Sequence, residues 1–248
     1  MKTSKRGKLL MIANRKKAET HTMTQSPKKT AGRLAKIEPE KPVEKKVRRT
    51  QAERTALSDE RMFAAAISLI NERGTQKTTL KDIGVLAGYS RGLANYRFGS
   101  KDNLLAELFT YFDGLWAAHL ETYVGDLSGF DALKAAGKAL RDFLTLEADY
   151  MRAMYILWYE SLGHESETRA RLADHHDVYR KDVQRWVSQG IVDGDIRKSV
   201  NAEQFAVQYC AFVFGVVYQW LVNPAALNLA AVFDDYQANQ NRILSIET

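Results

Sequence analysis

The chain has 248 residues, of which 45% are apolar and 27% charged, with a single cysteine and four prolines. These values are ordinary for a globular protein and exclude collagen, long coiled-coil rods and a wholly disordered chain. One thiol, Cys210, excludes a disulfide scaffold and any zinc site built on paired cysteines, and it fits a reducing compartment such as the cytoplasm.

The net charge of +6 is unevenly spread. Residues 1–56 carry 17 Lys and Arg against 5 Asp and Glu, whereas the remainder is mildly acidic. Residues 1–50 hold no run able to build a core, so they are expected to form a disordered basic arm. Met11 and Met23 are alternative starts within it. Such an arm suits an anionic partner, either nucleic acid or a lipid surface, and a simple solvated tail gives the same composition.

From Ser58 the pattern becomes helical. Ser58 is expected to cap a helix whose apolar positions are Met62, Phe63, Ala66, Ile67 and Ile70, ending at Gly74. Thr79 opens a short helix with Leu80, Ile83 and Ala87 on one face, stopped by Gly88. Ser90 is expected to cap a third, Arg91 to Phe98, stopped by Gly99. Ser100 caps a long fourth helix running to about Tyr123. Further helices are expected at roughly 130–146, 148–163, 167–189, 201–222 and 228–245, with a turn at 190–195 and a break at Asn223-Pro224. No strand-period run is present, so the fold class is all-α.

Between Glu203 and Asp234 the chain has no charged residue. A span of that length and apolarity either crosses a bilayer or is covered by protein on all sides. Gln204, Gln208 and Gln219 argue for the second, with one face meeting a second subunit.

Two short helices joined by a glycine-containing turn form a helix-turn-helix arrangement, whose second helix enters the DNA major groove. Ala94 and Phe98 face inward here, leaving Arg91, Leu93, Asn95, Tyr96 and Arg97 outward to varying degrees. Arg can read guanine, Asn can read adenine, and Leu can touch a thymine methyl. Thr79, Tyr96, Arg97 and Lys101 suit backbone phosphates. A polar face on a small helical bundle would show the same residues.

The stretch from Gly74 to Ile83, then Ala87-Gly88-Tyr89-Ser90-Arg91-Gly92, Tyr96-Arg97-Phe98-Gly99-Ser100-Lys101 and Leu104 closely resembles the TetR family of bacterial transcriptional regulators. The resemblance implies a helix-turn-helix DNA-binding domain over 51–100 and a helical effector-binding and dimerisation domain over 101–248. It implies a homodimer on a near-palindromic double-stranded operator, acting as a repressor released by a small molecule. The family's DNA contacts fall on Thr79, Arg91, Leu93, Asn95, Tyr96, Arg97 and Lys101, with Lys81 and Gly92 in the same surface. Asn95 departs from the pattern, since most members carry an aromatic residue there.

Dimerisation is expected through 201–222 and 228–245. The effector pocket is expected among the central aromatics, with His119, Tyr155, Trp158 and Tyr179 as candidates. The long fourth helix would link pocket to reader. Two alternatives use other features: an architectural DNA binder driven by the basic arm, and a membrane-associated protein with 205–222 inserted. Metal binding by His164-Glu165 or His175-His176-Asp177 lacks an i, i+4 ligand pair. Ser161 near His164 has no orienting acid, and neither a phosphate loop nor a nucleophile elbow occurs, so no metal, cofactor or enzymatic activity is expected.

Overall fold

The computed structural model describes residues 50–163 and 165–245. The basic arm up to residue 49 and His164 lie outside the described residues. Among the described residues the regular structure is entirely helical. In chain order the helices are α1 (Gln51–Arg73), α2 (Leu80–Leu86), α3 (Leu93–Phe98), α4 (Lys101–Val124), α5 (Gly129–Leu146), α6 (Ala148–Glu160), α7 (Glu167–Asp193), α8 (Ala202–Val222) and α9 (Leu229–Leu244), with short 3₁₀ turns at Ser161–Gly163 and Pro224–Ala226.

Local chemistry sets most boundaries. Side-chain oxygens of Thr79, Ser100, Ser166, Asn201 and Asn228 each accept a backbone N–H three residues on, which caps α2, α4, α7, α8 and α9. Gly88 ends the α2 segment at φ 81°, a left-handed backbone that suits glycine. Pro224 cannot continue α8 and begins the 3₁₀ turn instead.

Three expected boundaries are corrected. The first helix starts at Gln51 rather than Ser58. The residues before Ser58 are good helix formers, and its hydroxyl donates back to the Thr55 carbonyl at 2.8 Å instead of capping. The third helix starts at Leu93 rather than Arg91, with Gly92 at the cap position making no side-chain cap bond. Ser90 contributes its carbonyl to Leu93 N (3.1 Å), so Arg91 and Gly92 form a turn. Finally, α7 runs through the expected turn to Asp193 and stops at left-handed Gly194.

The core is built in two connected regions. One joins α1–α4 with α5 and α6 through Met62, Ile70, Ile83, Ala94, Phe98, Leu104, Phe109, Phe112, Phe143 and Met154. The other lies where α5, α7 and α8 meet, around Ala132, Val183, Trp186, Val187, Phe205 and Ala206. α1 packs along α6, and α7 packs along both α5 and α8. α2 and α3 approach closely at Gly84, where a Cβ would lie 3.1 Å from the Ser90 carbonyl and 3.5 Å from Ala94 Cβ.

Candidate DNA interface and effector cavity

The seam at Gly84 and Ala94 fixes the presentation of α3. Ala94 and Phe98 are buried at 0% and 4% exposure, while Tyr96 is 88% exposed. Arg91, Gly92 and Asn95 are also exposed, as are Thr79 and Lys81 on the neighbouring helix start. These residues form one outward surface across α2 and α3. Leu93 is only half-exposed, because it packs partly on the core. The Lys101 ammonium donates to the Thr75 carbonyl at 3.2 Å, which tethers the start of α4 to the α1–α2 turn.

Arg97 is held differently from its neighbours. Its guanidinium grips Asp59 of α1 through two bonds of 2.9 Å and Glu107 of α4 through bonds of 3.2 and 2.9 Å. Asp59 above all, and then Glu107, keep it more firmly charged than usual. One side chain thus ties α1, α3 and α4 together and fixes α3 against its supports. Arg97→Ala is expected to cost about 1–2 kcal/mol of stability, a discounted figure because the guanidinium is one-third exposed. Urea unfolding checks the cost. Binding to all duplexes should fall alike, since orientation rather than base reading is lost.

Behind this domain, α4–α8 enclose a cavity of about 670 Å³, its open mouth included. Eight of its 17 lining residues are aromatic. Tyr155, Trp158 and Tyr179 are among them. His119 is not: its Nε2 lies 2.9 Å from the Ala139 carbonyl, and its ring packs on Phe143, away from the lumen wall. Phe112, Trp116, Trp186, Tyr209 and Asp182 complete much of the lining. Tyr179, Asp182, Val183 and Trp186 share one face of α7 by their i, i+3, i+4, i+7 spacing, a pattern readable in the sequence.

Some polar groups around the cavity are bound, whereas the indole N–H groups of Trp116 and Trp158 are buried without a partner. The Tyr155 hydroxyl donates to the Phe214 carbonyl (3.1 Å) and that of Tyr209 to the Leu133 carbonyl (3.4 Å). Burial pushes both phenols upward, and the Cys210 thiol to about 11. Burial also raises the Asp182 carboxyl, against the opposing effect of Arg185, and lowers His176 to about 4. His175 is buried with its Nδ1 2.7 Å from Asp113 Oδ1, joining α7 to α4. Among the described residues, no group of three or more His, Cys, Asp or Glu is placed to hold a metal ion.

α6 spans the two regions. Met151, Tyr155 and Trp158 line the cavity. At its start, the Asp149 carbonyl accepts from Asn71 of α1 at 2.9 Å. At its end, Glu160 accepts from the hydroxyl of Thr75 in the α1–α2 turn. α4 makes a second link, from its capped start beside α3 to Phe112 and Trp116 in the cavity wall.

Residues 63–108 match the family model described as bacterial regulatory proteins, tetR family. Over these residues the chain carries the DNA-binding module of that family. It is a DNA-binding transcriptional regulator. A TetR-family relative, the HTH-type transcriptional regulator TtgR of Pseudomonas putida, is 27% identical over 190 residues, covering 74% of this chain and 89% of its own. The fold is shared with a TetR regulator from Chloroflexus aurantiacus (TM-score 0.68, 20% identity, 78% of this chain and 99% of the other). It is also shared with SmeT in its complex with triclosan (TM-score 0.63, 19% identity, 77% and 92%).

Proposed function

We propose that this TetR-family regulator is a homodimeric repressor, which binds a near-palindromic operator through α2 and α3 and leaves it when a small molecule fills the cavity. The observation that carries the reading is the outward surface of α3, where Tyr96, Asn95 and Arg91 stand exposed over buried Ala94 and Phe98. Residues 51–100 act as the DNA-binding domain and 101–248 as the effector and dimerisation domain. Arg91 and Asn95 read bases, with Leu93 and Gly92 close to the groove, and Thr79, Lys81, Tyr96 and Lys101 meet phosphates. Arg97 positions α3 from behind.

Arg91→Ala and Asn95→Ala are each expected to cost about 1–3 kcal/mol on a matched operator and to relax preference at one base pair per half-site. Lys101→Ala should weaken every duplex alike. Gel-shift titrations over a set of operator variants separate these outcomes. Uniform loss across all variants for Asn95→Ala would remove it from base reading.

Dimerisation uses α8 and α9. α8 is long and apolar enough to cross a membrane, and only a third of its most apolar window is buried within the protomer. Its exposed positions Val207, Ala211, Tyr218 and Val222 follow one helical stripe with Gly215 between them. Exposed Gln204, Gln208 and Gln219 flank that stripe, which suits a protein partner better than lipid.

The cavity is the effector site. Its aromatic walls fit an apolar organic molecule, and the SmeT complex with triclosan is a precedent for ligand binding on this fold. Filling it shifts α6 and α4, and with them α3. An effector must prefer the released state by about 10⁴-fold to swing occupancy fully.

A further inference from the structure

We infer that the cavity selects a lipophilic organic cation, with Asp182 as its counter-ion. This rests on reading the cavity as the effector site and adds the charge of the molecule that enters it. Among the described lining residues, Asp182 is the sole Asp, Glu, Lys or Arg. It occupies the lining stripe of α7, one turn from Tyr179 on one side and from Trp186 on the other. An apolar residue there would pack without cost, whereas a carboxylate at 26% side-chain exposure loses much of its hydration. Its present partner is Arg185 at 2.9 Å, which is 69% exposed and lies outside the lining. Such an ion pair is weak and easily exchanged.

The rest of the wall favours the same sign. Phe112, Trp116, Trp158, Tyr179, Trp186 and Phe214 present ring faces or edges around the lumen, and ring faces attract ammonium groups, most strongly where water is excluded. Arg180 comes near Cys210 without lining the cavity. A carboxylate or phosphate ligand would therefore enter with no lining cation to balance it, beside an existing negative charge. A neutral molecule would gain burial and, with an acceptor, a bond from the unpartnered Trp116 or Trp158 indole N–H, but no counter-ion.

Three decyl compounds of matched length test this with the full chain: decyltrimethylammonium, decanol and decanoate, each below its micelle concentration. Binding is read by calorimetry and by quenching of the tryptophans, three of which line the cavity. The expected result is decyltrimethylammonium bound at least tenfold tighter than the other two. Asp182→Asn should collapse the ratio of cation to decanol affinity towards one, and Asp182→Glu should retain it. Decanol or decanoate binding as tightly as the ammonium, or an Asp182→Asn chain that keeps the preference, would overturn the cation assignment while leaving the effector site in place. Failure of all three to bind would overturn the effector reading as well.

Discussion

Phe112→Ala is expected to lower the unfolding free energy by about 3–5 kcal/mol, the usual range for deleting a buried aromatic ring. Phe112 is 1% exposed. Its ring meets Phe143 at 5.9 Å, Trp158 at 6.0 Å, Tyr150 at 6.2 Å and His175 at 6.3 Å, so three neighbouring helices lose contact at once. Collapse of the surroundings is hindered because the cavity already lies on one side, so the vacated volume merges with it rather than closing. Urea unfolding followed by tryptophan fluorescence gives the cost directly. A loss below about 1 kcal/mol would mean that the ring does not brace α4 against α5–α7.

Ala211→Glu should have the largest effect on DNA affinity. Ala211 is exposed in the protomer, at the centre of the apolar stripe on α8, so the fold of one chain tolerates glutamate there. In a symmetric dimer the two copies would bring like charges into an apolar interface. Operator binding then falls back to a single half-site, and avidity of about 10²–10⁴ is lost. Sedimentation should show a monomer, and gel shifts should show the matching loss of affinity. A dimer that survives with operator binding intact would place the interface elsewhere.

Much of the architecture was legible where local chemistry decides. The caps at Thr79 and Ser100 and the stops at Gly88 and Gly99 follow from side-chain hydrogen bonds within a few residues and from left-handed glycine. Local chemistry misleads at Ser58, where Ser-Asp-Glu imitates a helix start although helix formers already precede it. It misleads again at Ser90, whose backbone rather than hydroxyl serves the next helix.

The outward surface of α3 was readable from periodicity, but the restraint on Arg97 was not. Its partner Asp59 lies 38 residues away in the chain and meets it only after α1 and α3 pack. The cavity posed a different difficulty. Aromatic residues fill cores and line pockets with equal ease, so their abundance could not tell His119, bound to a backbone carbonyl, from Trp158 in the wall. Asp182 was the one distinctive signal, an acid in an apolar stripe, and it becomes informative only once α7 is known to face a void.

The proposed regulation rests most on α3 reading DNA as one of a symmetric pair. Selection of bound duplexes from a random pool by the purified full chain tests this directly. The expected outcome is enrichment of an inverted repeat whose half-sites lie about 34–36 Å apart, one helical turn or a multiple of it, with Arg91→Ala altering the enriched base at one position in each half. A pool that emerges without a common motif, or an identical motif selected by the Arg91→Ala chain, would contradict it.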